Sequence, residues 1–219
     1  MTEQLDGAVE LLDRSLAYTR VLLADVRSHH LPRPTPCAGW TLGRLLAHME
    51  DSLDAFLEAA AGRVAVDSVP PTSTRVEALR EKACALLGAW AAAGESAQVA
   101  QVAQVAEVPE VAVGDSALGA PLLVATAALE ITVHGWDVGQ STGRRTPIPD
   151  DLAAGLFPLA QQVIGTADRG SRFAVPRPTE TSASCAELLL AWTGRGTGHM
   201  TEPLGGNSGE RPARRGMPS

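Results

Sequence analysis

The sequence predicts an all-α protein, a four-helix bundle with a short helical extension at its C-terminal end. Three observations predict it. Four long stretches repeat apolar residues at the three-and-four spacing of a helix that buries one face. Segments rich in proline, glycine, serine and threonine separate them, and such residues end helices and hold turned or extended backbone. The composition, 45% hydrophobic and 20% charged over 219 residues, is that of an ordinary soluble globular chain with enough length for a sizeable core.

The first helix is predicted over residues 6–28, where Val9, Leu12, Leu16, Leu22, Leu23 and Val26 repeat at helical spacing. It stops at HHLPRPTPC, whose closely spaced prolines impose extended backbone. His29 and His30 then sit at its C-terminal end, where imidazoles suit the helix dipole and the last carbonyls. Thr41 reads as the N-cap of a second helix that runs to Gly62 on a core stripe of Leu42, Leu45, Leu46, Met49, Leu53 and Phe56. His48 lies on one flank of that stripe, in line with Ser52, Ala55 and Ala59. Small neighbours leave open space beside an imidazole, which suits a pocket wall.

A loop, VDSVPPTST, leads to a third helix over Arg75–Ala93. Beyond Gly94, valines recur at 99, 102, 105, 108 and 111; the repeat is too short for a solenoid and reads as a slack connection with a short extended end at 108–114. The fourth helix spans Pro121–Gly143. RRTPIPDD predicts a turn with an Asp cap, followed by a fifth, shorter helix over Leu152–Ile164 and a short apolar one over Ala186–Trp192. From Gly194 on, glycine, proline and scattered charge predict a mobile tail. The domain organisation expected is a bundle over 1–168, an extension packed on it over 169–200, and a disordered tail over 201–219.

The fourth helix carries the chemistry. Leu129, Ile131, Val133, Trp136 and Val138 make most of its surface apolar, so it belongs inside the protein. Glu130, His134 and Asp137 nevertheless fall four and three residues apart, on one face. A carboxylate and an imidazole on a buried helix must be paired, hydrogen-bonded or metal-bound. His48, Glu130 and His134 together offer three nitrogen and oxygen ligands from two facing helices. That set suits a divalent ion such as zinc, with positions left open for water or substrate. The same spacing equally fits an internal hydrogen-bonded Glu130–His134 pair with His48 beside it, because E-x-x-x-H is a short pattern.

Charge and composition exclude other classes. A net charge of −7 and no basic run before the last few residues argue against a nucleic-acid partner. No stretch is apolar enough to span a bilayer and no signal peptide is apparent, so a cytoplasmic location is expected. Cys37, Cys84 and Cys185 are widely spaced and odd in number, which predicts neither a disulfide framework nor a thiolate zinc site. Each reads as a small buried residue, Cys37 as a packing group in the loop entering the second helix.

Two stretches resemble a known family. PTPCAGWTLGRLLAHM, residues 34–49, is similar to the opening signature of the DinB/YfiT-like superfamily. ALEITVHGWDVGQSTG, residues 128–143, resembles the second signature of the branch that includes mycothiol-dependent maleylpyruvate isomerase. The resemblance runs from about residue 6 to residue 192. It implies an up-down-down-up bundle in which His48, Glu130 and His134 hold zinc or a similar divalent metal. Asp137 matches the family's aspartate after the second histidine, a catalytic-site residue that orients a ligand or walls the pocket. Trp40 and Trp136 read as packing residues at the end of the bundle. The resemblance also implies mycothiol or another low-molecular-weight thiol as cofactor, a small-molecule substrate, and a homodimer. The residues after 170 read as too few and too rich in proline and glycine to supply the isomerase's second α/β domain. Its substrate arginines have no assigned equivalent, although Arg44, Arg75 and Arg80 are available.

The function expected is therefore a metal-dependent enzyme of thiol chemistry: S-transfer, or thiol-assisted isomerisation or elimination, on a small electrophile. Two alternatives use the same residues. One is a hydrolase or dehydratase that activates water without a thiol. The other is a non-catalytic metal-binding protein, which calls for a site closed by a fourth protein ligand.

Overall fold

A computed structural model of the chain describes residues 2–60, 74–102, 110–113, 116–170 and 172–196. Its helices are α1 (Thr2–Leu23), α2 (Leu42–Ala60), α3 (Arg75–Val102), α4 (Ala120–Thr142), α5 (Asp150–Val163) and α6 (Cys185–Trp192). Two short strands, β1 (Glu110–Val113) and β2 (Ser116–Gly119), pair antiparallel just ahead of α4. The fold is all-α, as the sequence predicts.

The directions of the four long helices follow from which residues meet. Thr19 Oγ1 donates to the Ile131 carbonyl at 2.9 Å, and Asp25 just past α1 meets Arg144 just past α4 at 2.6 Å, so α1 and α4 are parallel. Arg33, ahead of α2, donates to the Ser141 carbonyl at 3.3 Å while His48 reaches Glu130 at 2.7 Å, so α2 runs against α4. Arg75 pairs with Glu50 at 3.5 Å and Lys82 with Asp54 at 2.6 Å, which makes α3 parallel to α2. The order is up, down, down, up. Parallel neighbours such as α2 and α3 need a connection that travels back along a helix, about 28 Å for α2. The stretch from Ala60 to Arg75 is long enough for that at about 3.3 Å per residue.

Side-chain size sets how closely α1 approaches α4. A Cβ on Gly135 would overlap Thr19 Oγ1, and one on Gly139 would stand 2.8 Å from Leu22 Cδ2 and 2.9 Å from the Arg144 carbonyl. The two glycines, four apart on one face, make the groove that α1 fills. Leu12, Leu22, Leu42, Leu45, Leu46, Leu86, Val124 and Val138 are fully buried in the core thus formed. Truncating one such leucine to alanine costs about 2–5 kcal/mol. A residue at α4 has no solvent side to retreat to, because positions 127–129 and 131–139 are all buried.

Several boundaries differ from the sequence expectation. α1 ends at Leu23: Asp25 and Val26 bond three residues back, and Arg27 is extended at φ −132° and ψ 158°. His29 and His30 consequently lie in a separate 3-10 turn, Ser28–His30, where His30 Nδ1 accepts from the Arg27 amide at 3.3 Å. α3 continues to Val102, because the alanines, glutamines and Glu95 after Gly94 favour helix enough to offset one glycine, which costs about 1 kcal/mol. β1 falls within the extended segment expected at 108–114. The Asp cap is partly redirected: Asp150 accepts at 3.0 Å from the Ala186 amide in the first turn of α6. Residues 194–196, expected as the start of a mobile tail, are folded; the rest of that expectation, residues 197–219, lies outside the described residues.

Candidate metal centre

The segment between the first two helices is a tied turn that α4 holds in place. Within it, the Thr35 amide donates to the Trp40 carbonyl at 3.0 Å and the Trp40 amide to the Cys37 carbonyl at 3.0 Å. Ser141 Oγ of α4 donates to the Pro34 carbonyl at 3.0 Å, which anchors the turn. Thr41 caps α2 as predicted, its hydroxyl accepting from the Arg44 amide at 3.3 Å. With Leu42, Leu45, Leu46, Met49 and Leu53 fixed inward, the face carrying His48 is turned toward α4.

Three side chains from the two helices converge there. His48 Nε2 lies 2.7 Å and His134 Nε2 3.1 Å from the same oxygen, Glu130 Oε1. The imidazole rings are perpendicular, 89°, with centroids 5.1 Å apart, and Trp40 packs edge-on against His48 at 5.1 Å. One ligand-type atom from each of the three lies within 4.8 Å of the other two. Metal bonds of about 2.0–2.2 Å place neighbouring ligand atoms about 3–3.5 Å apart, so small side-chain adjustments bring this set around one ion. The side chains are 37%, 23% and 10% exposed for His48, Glu130 and His134, so solvent reaches the cluster from the His48 side.

The other nitrogen of His134 faces a different cluster. His134 Nδ1 is 3.0 Å from Asp137 Oδ2, and Cys37 Sγ lies 3.3 Å from that same oxygen and 3.9 Å from Nδ1. Arg195 closes the arrangement from outside the four long helices. Its Nε donates to Asp137 Oδ1 at 2.8 Å and its Nη2 to Oδ2 at 2.6 Å, a bidentate pair, with Nη2 also 3.3 Å from Cys37 Sγ. Asp137 is fully buried and Arg195 nearly so.

The end of α6 explains how an arginine from so far along the chain reaches this point. Gly194 takes the left-handed conformation, φ +79°, and its amide bonds the Ala191 carbonyl at 3.0 Å. The Arg195 amide bonds the Leu190 carbonyl at 2.8 Å, which completes a Schellman helix stop. Trp192 Nε1 donates to the Ala160 carbonyl at 3.0 Å, fixing α6 against α5. The stop turns the chain back, and the guanidinium enters the bundle.

Charges in the two clusters sustain one another. Burial pushes the Glu130 carboxyl up, but the two imidazoles, His134 above all, outweigh it and hold the group well below the ordinary carboxylate range. Burial disfavours the imidazolium of His134, yet Glu130 and then Asp137 more than compensate, so its pKa stands well above the usual 6.5. Asp137 is likewise pushed up by burial and pulled below its ordinary value, first by Arg195 and then by His134. Tyr18 is raised, by burial first and by the negative Asp137 second.

Glu130 also walls a cavity of about 370 Å³ bounded by α1, α2, α3 and α4. Of the three arginines noted in the sequence, Arg80 lines this cavity. Arg75 is engaged by Glu50, and Arg44 stacks over Trp40 with its guanidinium carbon 4.7 Å from the ring centre.

The structure thus brings His48, Glu130 and His134 together and puts Asp137 behind His134. Sequence reasoning missed Arg195 and the setting of Cys37. Two signals pointed to the arginine: a buried carboxylate at 137 demands a counter-charge, and W-T-G-R after an apolar helix reads as a glycine stop rather than the start of a tail. Of the three cysteines expected to be buried, Cys84 is exposed and Cys37 and Cys185 are only half-buried.

Comparison with known proteins agrees with the motif resemblance. Residues 12–139 match the model of the family described as Mycothiol maleylpyruvate isomerase N-terminal domain. Similar curated proteins are Uncharacterized protein MT0763 of Mycobacterium tuberculosis (strain CDC 1551 / Oshkosh) and Uncharacterized protein Rv0738 of Mycobacterium tuberculosis (strain ATCC 25618 / H37Rv). Each is 26% identical over 176 residues, which cover 80% of this chain and 90% of the relative. No solved structure matches the chain. The family match contains Cys37, His48, Glu130, His134 and Asp137 and ends before Arg195. Among the described residues no helix is long and apolar enough to cross a membrane.

Proposed function

The chain belongs to the mycothiol maleylpyruvate isomerase N-terminal domain family, and from that premise we propose that it is a metal-dependent enzyme of thiol chemistry. His48 Nε2, His134 Nε2 and the Glu130 carboxylate hold a divalent cation, zinc or a similar ion. One observation carries the reading: both imidazole nitrogens approach a single carboxylate oxygen, at 2.7 and 3.1 Å, from two facing helices. The donor set of two neutral nitrogens and one carboxylate oxygen is the chemistry such ions take when a position stays open. Among the described residues no fourth ligand-type side chain joins these three, which favours an open site over a closed, purely binding one.

A dication held there supplies one piece of chemistry, favouring the thiolate of a bound thiol at neutral pH. The thiol is a small soluble one of the mycothiol kind that the family's description names. The chain's own side chains do the positioning. Asp137 accepts from His134 Nδ1 and so presents Nε2 as the free ligand atom. Arg195 keeps Asp137 ionised and fixed, and Trp40 limits rotation of His48. The half-exposed edge at His48 is the way in for thiol and electrophile, and the reaction is S-transfer, isomerisation or elimination.

Turnover of an electrophile in the presence of thiol should vanish on chelation and return with zinc. Turnover that survives complete metal removal contradicts the reading. Turnover that needs metal but no thiol replaces it with water activation at the same residues.

A further inference from the structure

We infer that the cavity beside Glu130 is a binding site for a monoanion with an apolar body, such as a carboxylate on a medium-length hydrocarbon or an aromatic frame. Its walls are apolar, with Leu16 and Leu23 from α1, Met49 and Leu53 from α2, and Leu79 and Leu87 from α3. Its volume, about 370 Å³, lies within the range that holds small organic ligands. Four charged side chains, Asp13, Arg20, Arg80 and Glu130, also line it, unevenly distributed.

Arg20 of α1 and Arg80 of α3 both line the cavity and are both exposed. Neither guanidinium has a hydrogen-bonding or ion-pairing partner among the described residues. The acid one turn before Arg80, Glu77, gives its carboxylate to the Thr74 amide at 2.9 Å and hydroxyl at 2.7 Å and meets Arg80 only through space. Arg80 also lines the neighbouring hollow with Leu23 and Ala24, so the arginines gather at the end of the cavity beneath the C-terminus of α1. Asp13, the other charged residue in the lining besides Glu130, sits two turns earlier on α1, about 10 Å from Arg20 along the axis. One negative group is therefore attracted at one end and a second is repelled at the other. The ligand is a monoanion and not a dianion.

This deepens the proposed function and rests on it only in laying the ligand against the carboxylate that holds the cation. The binding itself needs no metal. Titration calorimetry on EDTA-treated protein with decanoate, decanol and sebacate tests it. Decanoate should bind at least ten-fold more tightly than the neutral alcohol or the dianion of equal length. The double variant Arg20→Gln/Arg80→Gln should erase that preference while leaving decanol unchanged. Cys84, an exposed thiol in the same lining, gives an independent readout: decanoate should slow its alkylation by iodoacetamide. Equal binding of the three probes, no binding, a preference that persists in the double variant, or unaltered Cys84 alkylation overturns the inference. Failure here leaves the metal reading standing, since metal content is measured without any of these ligands.

Discussion

The two nitrogens of His134 look onto two clusters of similar make-up, each able to offer three ligand-type atoms, one with Cys37 and Asp137 and the other with His48 and Glu130. They differ in where positive charge comes from. On the Nδ1 side the protein supplies it: the Arg195 guanidinium spans both oxygens of Asp137 and touches Cys37, and Asp137 and Arg195 are buried. On the Nε2 side no arginine or lysine pairs with Glu130 among the described residues; its contact partners are the two imidazoles, whose protons a cation could displace, and Arg195 acts on it only from a distance. Solvent also reaches that side. A closed cluster that contains its own cation is a support, and a half-open one without a fixed cation is a place for an added one.

The largest effect expected is on the closed side. Arg195→Ala leaves Asp137 buried and unpaired, which should lower unfolding free energy by about 3–5 kcal/mol, read by urea denaturation. Lysine at 195 should restore only part of it, since an ammonium cannot span two oxygens. A variant as stable as the parent would mean that Arg195 does not hold Asp137 in solution.

Asp137→Asn probes how far the closed side controls the open one. Its amide can still meet His134, but the charge that favours the Nε2 ligand form is gone. Zinc affinity should fall about 10–100-fold, measured by competition with a chromophoric chelator, and an unchanged affinity would uncouple the two sides.

The pH dependence of the cation-free protein separates them by sign. Glu130 and Asp137 sit below their ordinary values, so their contribution is complete above about pH 5 and is lost on acidification. His134 sits above its ordinary value, so its contribution is complete below about pH 6.5 and fades as pH rises through the raised value. Stability of the metal-free protein should therefore decline on both sides of that window in a Tm series. Zinc must release the proton that His134 carries, so affinity should rise with pH across neutrality. Cys37→Ala should do least, costing about 1 kcal/mol for a lost hydrogen bond and leaving zinc affinity in place.

What was legible in the sequence follows the range of the forces involved. The line of Glu130, His134 and Asp137 is a matter of helical period, and His48 is placed by the stripe beside it, so local spacing reveals both. The directions of the helices were implied by the family motifs, and the contacts of Thr19, Arg33 and Lys82 give them directly. The end of α1 was not legible, because Val26 continues the apolar pattern while the backbone at Arg27 is already extended. Arg195 was hidden for a different reason. Its partner lies on another helix, and a composition of glycine and scattered charge masks a helix stop whose one arginine is committed to the core.

Metal content by elemental analysis of two variants, one on each side of the His134 ring, tests the central distinction most directly. His48→Ala should lose the ion that the parent binds at one equivalent, and Cys37→Ala should keep it. Retention in His48→Ala with loss in Cys37→Ala would put the cation on the Nδ1 face, and the assignment of the open cluster as the metal centre would be wrong.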